Sequence, residues 1–359
     1  MSYYIFMKKP LNISILNLII LVYAGCRQDN SHTPLNFKAY EHNPILTPGA
    51  PGSWDETYVG APQIIVYDGV KYLFYLGHNA SIKMSVGMAT SRDGIHFTKF
   101  EGNPVLAPDG KGFDAMQASP GRVIKMDSIW AMYYNGQELV VYSPGAYIGR
   151  ATAKQITGPW TRDENPVLSG GSRGEWDAGF IIPSSVLALE DGTYRMYYTG
   201  GTDLLKWGDF YVGMASSADG IHWVKYNDPA TEKHPFSESD PVLMPGNRGE
   251  WDGSDLWMPH VIKIHGGYGM FYGGTPEDAS SEANEMSAIG YASSIDGIHW
   301  EKYSGNPILQ SSDDSHFKKK GITGGIENPW VIYTDSMGFL YYDYTNSPGG
   351  IGVATVELK

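Results

Sequence analysis

Five short stretches of this chain each end at a proline and gather acids, amides and aromatic rings: residues 54–62, 113–120, 176–183, 251–259 and 321–329. In them or just ahead of them stand Asp55, Glu56, Asp114, Glu175, Asp177, Glu250, Asp252, Asp255 and Glu327. Gln117, Trp257 and Asn328 lie among them, and His260 follows Pro259 directly. Brought around one hollow, such a set suits a sugar. Rings stack on sugar faces, amides and carboxylates bind hydroxyls, and two carboxyl groups supply the acid and base for glycosidic cleavage.

The nine acids are not equivalent. Asp55, Asp114, Asp177 and Asp252 recur at one position, each after Trp or Phe, and a residue repeated in every unit also serves as a turn or cap device. Glu327 breaks the pattern, standing where Ala118, Ile181 and Trp257 stand elsewhere, and Asp255 has no counterpart. The catalytic candidates are therefore Asp55, Asp114, Asp177 and Glu327. Asp55 or Glu56 would act as base, Asp177 or Glu327 would protonate the leaving oxygen, and Asp114 would tune one of them. Glu56, Gln117, Asp255, Trp257, His260 and Asn328 are the expected substrate contacts. His260 is read as a metal ligand, a sugar contact or a satisfied core histidine, with a contact or ligand favoured. The Cys/His spacing of a zinc site is absent, and no cofactor is expected.

The elements that must position these residues are written in a repeat. Asn-Pro-Val/Ile-Leu begins at Asn43, Asn103, Asn165, Asp240 (here Asp-Pro-Val-Leu) and Asn306. Each start leads through a Gly-rich stretch, an aromatic-Asp pair, a proline, an apolar run, a turn and a Tyr-rich run. Gly-x-Ala and Asp-Gly-Ile-His-Trp complete the most regular units. Four strand-length runs per unit, joined by turns such as Asp191-Gly192 and Asp219-Gly220, describe a four-stranded antiparallel meander. Five such units predict an all-β, five-bladed β-propeller. The fifth unit stops after its third strand. Residues 36–46 align with 96–106, so residues 36–41 are expected to supply the missing outer strand and close the ring. His96, His222 and His299, in the outer Asp-Gly-Ile-His turns, and Trp223 and Trp300 beside them, read as structural.

The leader sets the compartment. Lys8 and Lys9 precede an apolar run from Leu11 to Val22, too short to span a bilayer, which ends in Val22-Tyr23-Ala24-Gly25-Cys26. This resembles a bacterial lipobox. Residues 1–25 are read as a signal peptide, Cys26 as the lipidation site, residues 26–35 as a tether and residues 36–359 as the propeller. The protein is expected to be secreted across the inner membrane and anchored in the cell envelope by lipid alone. An ordinary secretory leader with an incidental cysteine is the alternative. Without the two leader lysines the chain carries 24 basic and 39 acidic residues, a net charge of −15. That excludes nucleic acid as a natural partner and favours a neutral carbohydrate.

The unit from Asn165-Pro-Val-Leu through Gly-Glu-Trp-Asp and Asp-Gly-Thr-Tyr-Arg-Met-Tyr-Tyr-Thr-Gly to Asp-Gly-Ile-His-Trp resembles the five-bladed propeller glycosidases. These form the arabinanase, levansucrase and invertase-like superfamily, with glycoside hydrolase families 43, 32, 68, 117 and 130 as relatives. The resemblance covers residues 36–359 and implies action on a glycoside by carboxylates drawn from different blades. It departs at the acids. Families 43 and 32 carry Asp directly before the first blade's proline, where this chain has Ala61, and Glu ahead of the third blade's inner strand, where Ile181 stands two before Pro183. The Glu-Asp-Pro of family 130 is approached only by Glu327-Asn328-Pro329, in another blade. The leading expectation is a glycoside hydrolase. The rivals are a non-catalytic carbohydrate-binding lipoprotein, a structural or protein-binding propeller, and a phosphorylase using Arg122, Arg173, Arg195 or Arg248 to hold phosphate.

Overall fold

A computed structural model describes residues 35–81, 83–138, 147–202, 209–276, 287–319, 324–345 and 349–358. Within it the chain forms five antiparallel sheets, each a blade, whose first three strands follow chain order from the axis outward. The inner strands are Tyr58–Tyr67, Gln117–Met126, Phe180–Ala188, Asp255–Ile264 and Ile326–Tyr333. Second strands run Val70–His78, Ile129–Gln137, Tyr194–Gly201, Gly267–Thr275 and Met337–Tyr344. The third strand of the last blade, Ile351–Glu357, pairs with Lys38–Ala39, with Lys38 opposite Thr355 and Ala39 opposite Ala354. The N-terminal segment thus closes the ring, as the alignment of residues 36–46 predicts.

The repeated words of the sequence each have a physical job. The aromatic-Asp pair clasps one tyrosine of the second strand. Trp54, Phe113, Trp176 and Trp251 lie against Tyr75, Tyr134, Tyr198 and Tyr272 with ring centroids 5.7–6.2 Å apart. The glycine of Gly-x-Ala makes room for that ring: a Cβ on Gly213 would stand 2.2 Å from the Tyr198 Cζ, and Gly87, Gly149 and Gly290 serve Tyr75, Tyr134 and Tyr272 alike. The Asp-Gly turns join blades. The carbonyls of Gly94, Gly220 and Gly297 accept from the Tyr341, Tyr133 and Tyr197 hydroxyls of the neighbouring blade. His96, His222 and His299 bond by Nδ1 to the aspartate of their own turn at 2.7–2.8 Å, the structural role expected of them.

Around the axis, side chains just past each inner-strand proline lace the blades in a closed circuit. Gln63 exchanges two bonds with the Val123 backbone (2.9 and 2.6 Å). The Arg122 Nε donates to the Ser184 carbonyl (2.8 Å). Val261 N–H donates to Ser185 Oγ (3.2 Å), and Val331 N–H to His260 Nδ1 (2.9 Å). Trp330 Nε1 donates to the Ile64 carbonyl (3.0 Å) and returns the circuit to blade one. Every inner strand also shifts register at its proline. The bulge re-aims the residues before the proline.

Candidate active site

The four recurring aspartates face inward to their own blades. Asp55 accepts from Tyr75 Oη (3.1 Å) and Lys99 Nζ (2.6 Å). Asp114 accepts from Tyr134 Oη and Arg162 Nε, Asp177 from Tyr198 Oη and Lys225 Nζ, and Asp252 from Tyr272 Oη and Lys302 Nζ. Each carboxylate is buried and ties the loop to the second and outermost strands of one blade. This corrects the expectation for Asp55, Asp114 and Asp177: the geometry gives them a blade-fastening job, repeated because every blade needs it. Blade five does the same with Asp314, which accepts from Tyr342, Tyr344 and Asn43. Its outer strand offers Ala39 where the others offer Lys or Arg, so neutral donors replace the cation.

Glu327 is placed differently. It sits on the inner strand of blade five, two residues before Pro329, directly opposite Asp343 on the second strand. Cβ atoms of such a pair lie about 4.5–5.5 Å apart. Trp257 holds the same position in blade four. Between the two runs Gly273, where a Cβ would stand 3.2 Å from the Cβ of Glu327 and of Trp257. An indole and a carboxyl group therefore stand side by side, both still partly open to solvent. Phe210 holds the indole edge-on, with centroids 4.8 Å apart.

Two further acids back Glu327, and neither is exposed. Asp343 accepts from Ala61 N–H (2.6 Å), Tyr58 Oη (3.1 Å) and the Asn328 amide (3.0 and 3.1 Å). Asp255 accepts from Ser254 Oγ (2.8 Å) and from the backbone at Asp209 and Phe210. Burial pushes the Glu327 carboxyl well above its usual range, and the charges of Asp343 and Asp255 push it further. Burial raises Asp343 too, but its donors hold it down. The proton therefore rests on Glu327 and the charge on Asp343.

The surrounding backbone is strained. Ala61, Asn328 and Met258, each before a proline, have φ of 48°, 54° and 36°, a region non-glycine residues occupy sparsely and that recurs where structure is held for function. Asp343 secures Ala61; Thr199 Oγ1, at the matching place in blade three, secures Met258 N–H at 2.8 Å. A Cβ on Gly60 would stand 2.3 Å from Asp343 Oδ2, so glycine is required there.

The remaining candidates disperse. Glu56 caps its own loop at Gly52. Gln117 donates to Asn135 Oδ1 (2.8 Å) at the mouth of blade two. Glu175 is buried under His234 and Ser237, and Glu250 binds Asn247. His260 is 6 % exposed and stacks on Trp330 at 3.7 Å. Burial and the Arg122 charge hold it neutral, pushed down to about 3, and its Nδ1 belongs to the axial circuit rather than to a ligand. Among the described residues no group of three or more His, Cys, Asp or Glu side chains is disposed to hold a metal. Of the proposed phosphate-binding arginines, Arg122 is locked in the circuit, Arg195 donates to the outer turn at Asp296, and Arg173 and Arg248 lie on exposed loops. Cys26 and the leader lie outside the described residues. Sequence reasoning missed Asp343 and Tyr58. The signal was there for Asp343, since the residue after the clasped tyrosine is Leu76, Asn135, Thr199 or Gly273 in the other blades.

No protein-family model matches the chain. An uncharacterised protein of Mycobacterium tuberculosis is 22% identical over 325 residues, covering 87% of this chain and 97% of its own length. An invertase of Schizosaccharomyces pombe is 27% identical over 177 residues, which is 46% of this chain and 28% of the invertase. Among solved structures, a glycosyl hydrolase from Bacteroides ovatus superposes with a TM-score of 0.65 at 19% identity, over 88% of this chain and 92% of its own. A thermostable family-43 glycoside hydrolase gives 0.59 at 21%, over 84% and 89%. The β-1,2-mannobiose phosphorylase of Listeria innocua gives 0.62 at 16%, over 90% and 97%. In fold, this chain is a five-bladed propeller of the architecture that these glycoside hydrolases share.

Proposed function

We propose that the protein cleaves a glycosidic bond beside the neighbouring, half-buried side chains of Glu327 and Trp257, with Glu327 as general acid. The observation that carries this is the contrast within one acid cluster. Glu327 is half-buried, and burial first, then the charges of Asp343 and Asp255, favours its protonated form, while Asp343 and Asp255 are themselves fully buried. A sugar stacked on Trp257 brings its glycosidic oxygen to the carboxyl group beside it, and proton transfer assists departure of that oxygen. The Asn328 Oδ1, buried and without a partner among the described residues, is the remaining hydrogen-bonding capacity of the cluster. The test is turnover of a panel of aryl glycosides and neutral oligosaccharides by wild type and Glu327→Gln. Hydrolysis lost in the variant supports the assignment, and equal turnover overturns it.

Phosphorolysis is a second reading, prompted by the β-1,2-mannobiose phosphorylase among the structures of this fold. Neither backing carboxylate reaches solvent, so the group that attacks the anomeric carbon as the glycosidic bond breaks, water in hydrolysis or phosphate in phosphorolysis, comes from outside this trio. Turnover that requires inorganic phosphate and releases a sugar phosphate supports that reading, and phosphate-independent release of reducing sugar supports hydrolysis. Saturable binding without product selects a carbohydrate-binding role. We also propose that Cys26 is lipidated and holds the enzyme on the cell envelope. A Cys26→Ser variant that still partitions into detergent with the membrane fraction would remove that assignment.

A further inference from the structure

The repeat carries one break that the proposed reaction does not use. Asn43, Asn103 and Asn306 open their Asn-Pro units by clamping a third strand. Asn103 accepts from Met88 N–H and donates to the Met88 carbonyl, both at 2.8 Å. Asn306 does the same at Tyr291 (2.9 Å each), and Asn43 at Val353 (3.0 Å each). Asp240, the fourth counterpart, is fully engaged by Asp228 N–H and Thr231 Oγ1. Asn165 makes no such clamp and, among the described residues, its side chain has no other partner in its place. In blade two the Asp163 N–H donates to the Arg150 carbonyl (2.8 Å), as Phe100 does to Met88 and Tyr303 to Tyr291, and what is peculiar to this blade is that the Asp163 carboxylate also accepts from Arg150 Nε (2.6 Å). Val167 N–H is pinned to Ile148 (2.8 Å), which fixes Asn165 two residues earlier with its amide exposed.

The released amide borders a hollow of about 450 Å³ between blades two and three, lined by Asp163, Glu164, Asn165, Pro166, Val167, Ile221, His222 and Trp223. That size is ordinary for a small-ligand site. Trp223 is 8 % exposed, and its indole N–H is buried with no acceptor among the described residues. His222 commits Nδ1 to Asp219 and leaves Nε2 outward. Trp160 and Trp300 share the unpartnered indole, but the asparagine or aspartate beside each is engaged. Among the described residues, it is here that an amide with both functions available, an outward imidazole nitrogen, a solvent-exposed carboxylate at Glu164 and apolar patches from Pro166, Val167 and Ile221 meet in one concavity.

We propose that this hollow is a second carbohydrate site, taking one neutral sugar residue on the outer rim of the propeller. The two carboxylates disfavour anions. The amide, the imidazole nitrogen and Glu164 offer donor and acceptor to adjacent hydroxyls, and the apolar patches accept the carbon face. The site holds no chemistry of its own and is independent of the Glu327 reading. It would keep a glycan chain near the protein whether or not the axial site turns it over.

The experiment uses the full chain carrying Glu327→Gln, titrated with sucrose, cellobiose, xylobiose and arabinobiose while the Trp223 indole N–H resonance is followed. That resonance is assigned by Trp223→Phe. A saturable shift with at least one disaccharide is expected, weakened roughly tenfold or more by Asn165→Ala with His222→Ala, since two lost hydrogen bonds are worth about that factor. Both substitutions lie on the surface and leave the core intact. No saturable shift with any of the four sugars, or a shift that the double variant leaves unchanged, overturns the proposal.

Discussion

Glu327 and Asp343 face each other across one antiparallel ladder, yet only Asp343 is supplied with hydrogen-bond donors. Two carboxyl groups so placed cannot both ionise freely, and the donors decide which one does. Ala61 N–H and Tyr58 Oη come from blade one, across the seam where the ring closes. Contact between the first and last blades thus adds to burial in favouring the protonated form of the candidate acid.

Replacing Glu327 by Gln keeps the shape and removes the proton source. On a substrate with a poor leaving group kcat should fall by about 10²–10⁴, the usual contribution of general acid catalysis. Affinity for the unreacted sugar should persist, because Trp257 is untouched. An aryl glycoside with a highly activated leaving group should lose far less. Equal losses on both substrates would place Glu327 outside proton transfer.

Asp343→Asn should move the alkaline limb of the pH–rate profile to lower pH. The charge opposite Glu327 helps keep it protonated, so removing that charge lets Glu327 ionise earlier as pH rises. The acidic limb reports a different group. An alkaline limb that stays in place in the variant would break the link between the two residues.

The same pairing predicts a stability slope. Glu327 has a folded pKa above its unfolded value, so between the two the native state binds the extra proton. Stability is then fully present below the unfolded pKa and is lost as pH climbs toward the folded one. Glu327→Gln removes this contribution. Thermal melts should show Tm of the variant gaining on wild type from about pH 4.5 upward. Parallel Tm curves over that range would contradict the placement of the proton.

The blades were legible because their punctuation is local. Asp-Gly turns, the proline bulge and the tyrosine runs each act within a few residues, and the repeat multiplies them. Glu327 was legible as a break in that repeat. Asp343 was not. Inside Leu-Tyr-Tyr-Asp-Tyr it reads as one more strand residue, and its partner Ala61 lies 282 positions away. The recurring aspartates misled for the opposite reason: an acid after an aromatic ring just ahead of each proline looks like a catalyst in a sequence, and only its tyrosine and lysine or arginine partners reveal a fastening.

Those fastenings should behave as structure. Asp177 is fully buried and Lys225 is 13% exposed, so Asp177→Ala leaves a cation poorly solvated and Tyr198 Oη without its acceptor. Such a change costs about 3–5 kcal/mol. Urea titration should show that loss, while kcat of the folded fraction stays near wild type. Adding Lys225→Met should recover part of the stability, since it removes the stranded charge. A double variant as unstable as the sum of its parts would mean that the pair is not coupled.

Closure should depend on Asn43 as well as on the short strand beside it. The Asn43 amide donates to Asp314, Tyr342 Oη and the Val353 carbonyl and accepts from Val353 N–H, all at 2.9–3.0 Å. Losing it leaves a buried carboxylate short of one donor and a strand short of its clamp. Asn43→Ala should lower stability by about 2–3 kcal/mol, and deletion of residues 27–42, which removes Lys38–Ala39, should lower it further. Both changes loosen blade five against blade one, where Tyr58 and Ala61 meet Asp343. Activity should therefore fall at temperatures below the melting midpoint, and the loss should be steeper for the deletion. If the truncated protein melts with the full chain and keeps its turnover, the ring is held shut by its inner lacing alone.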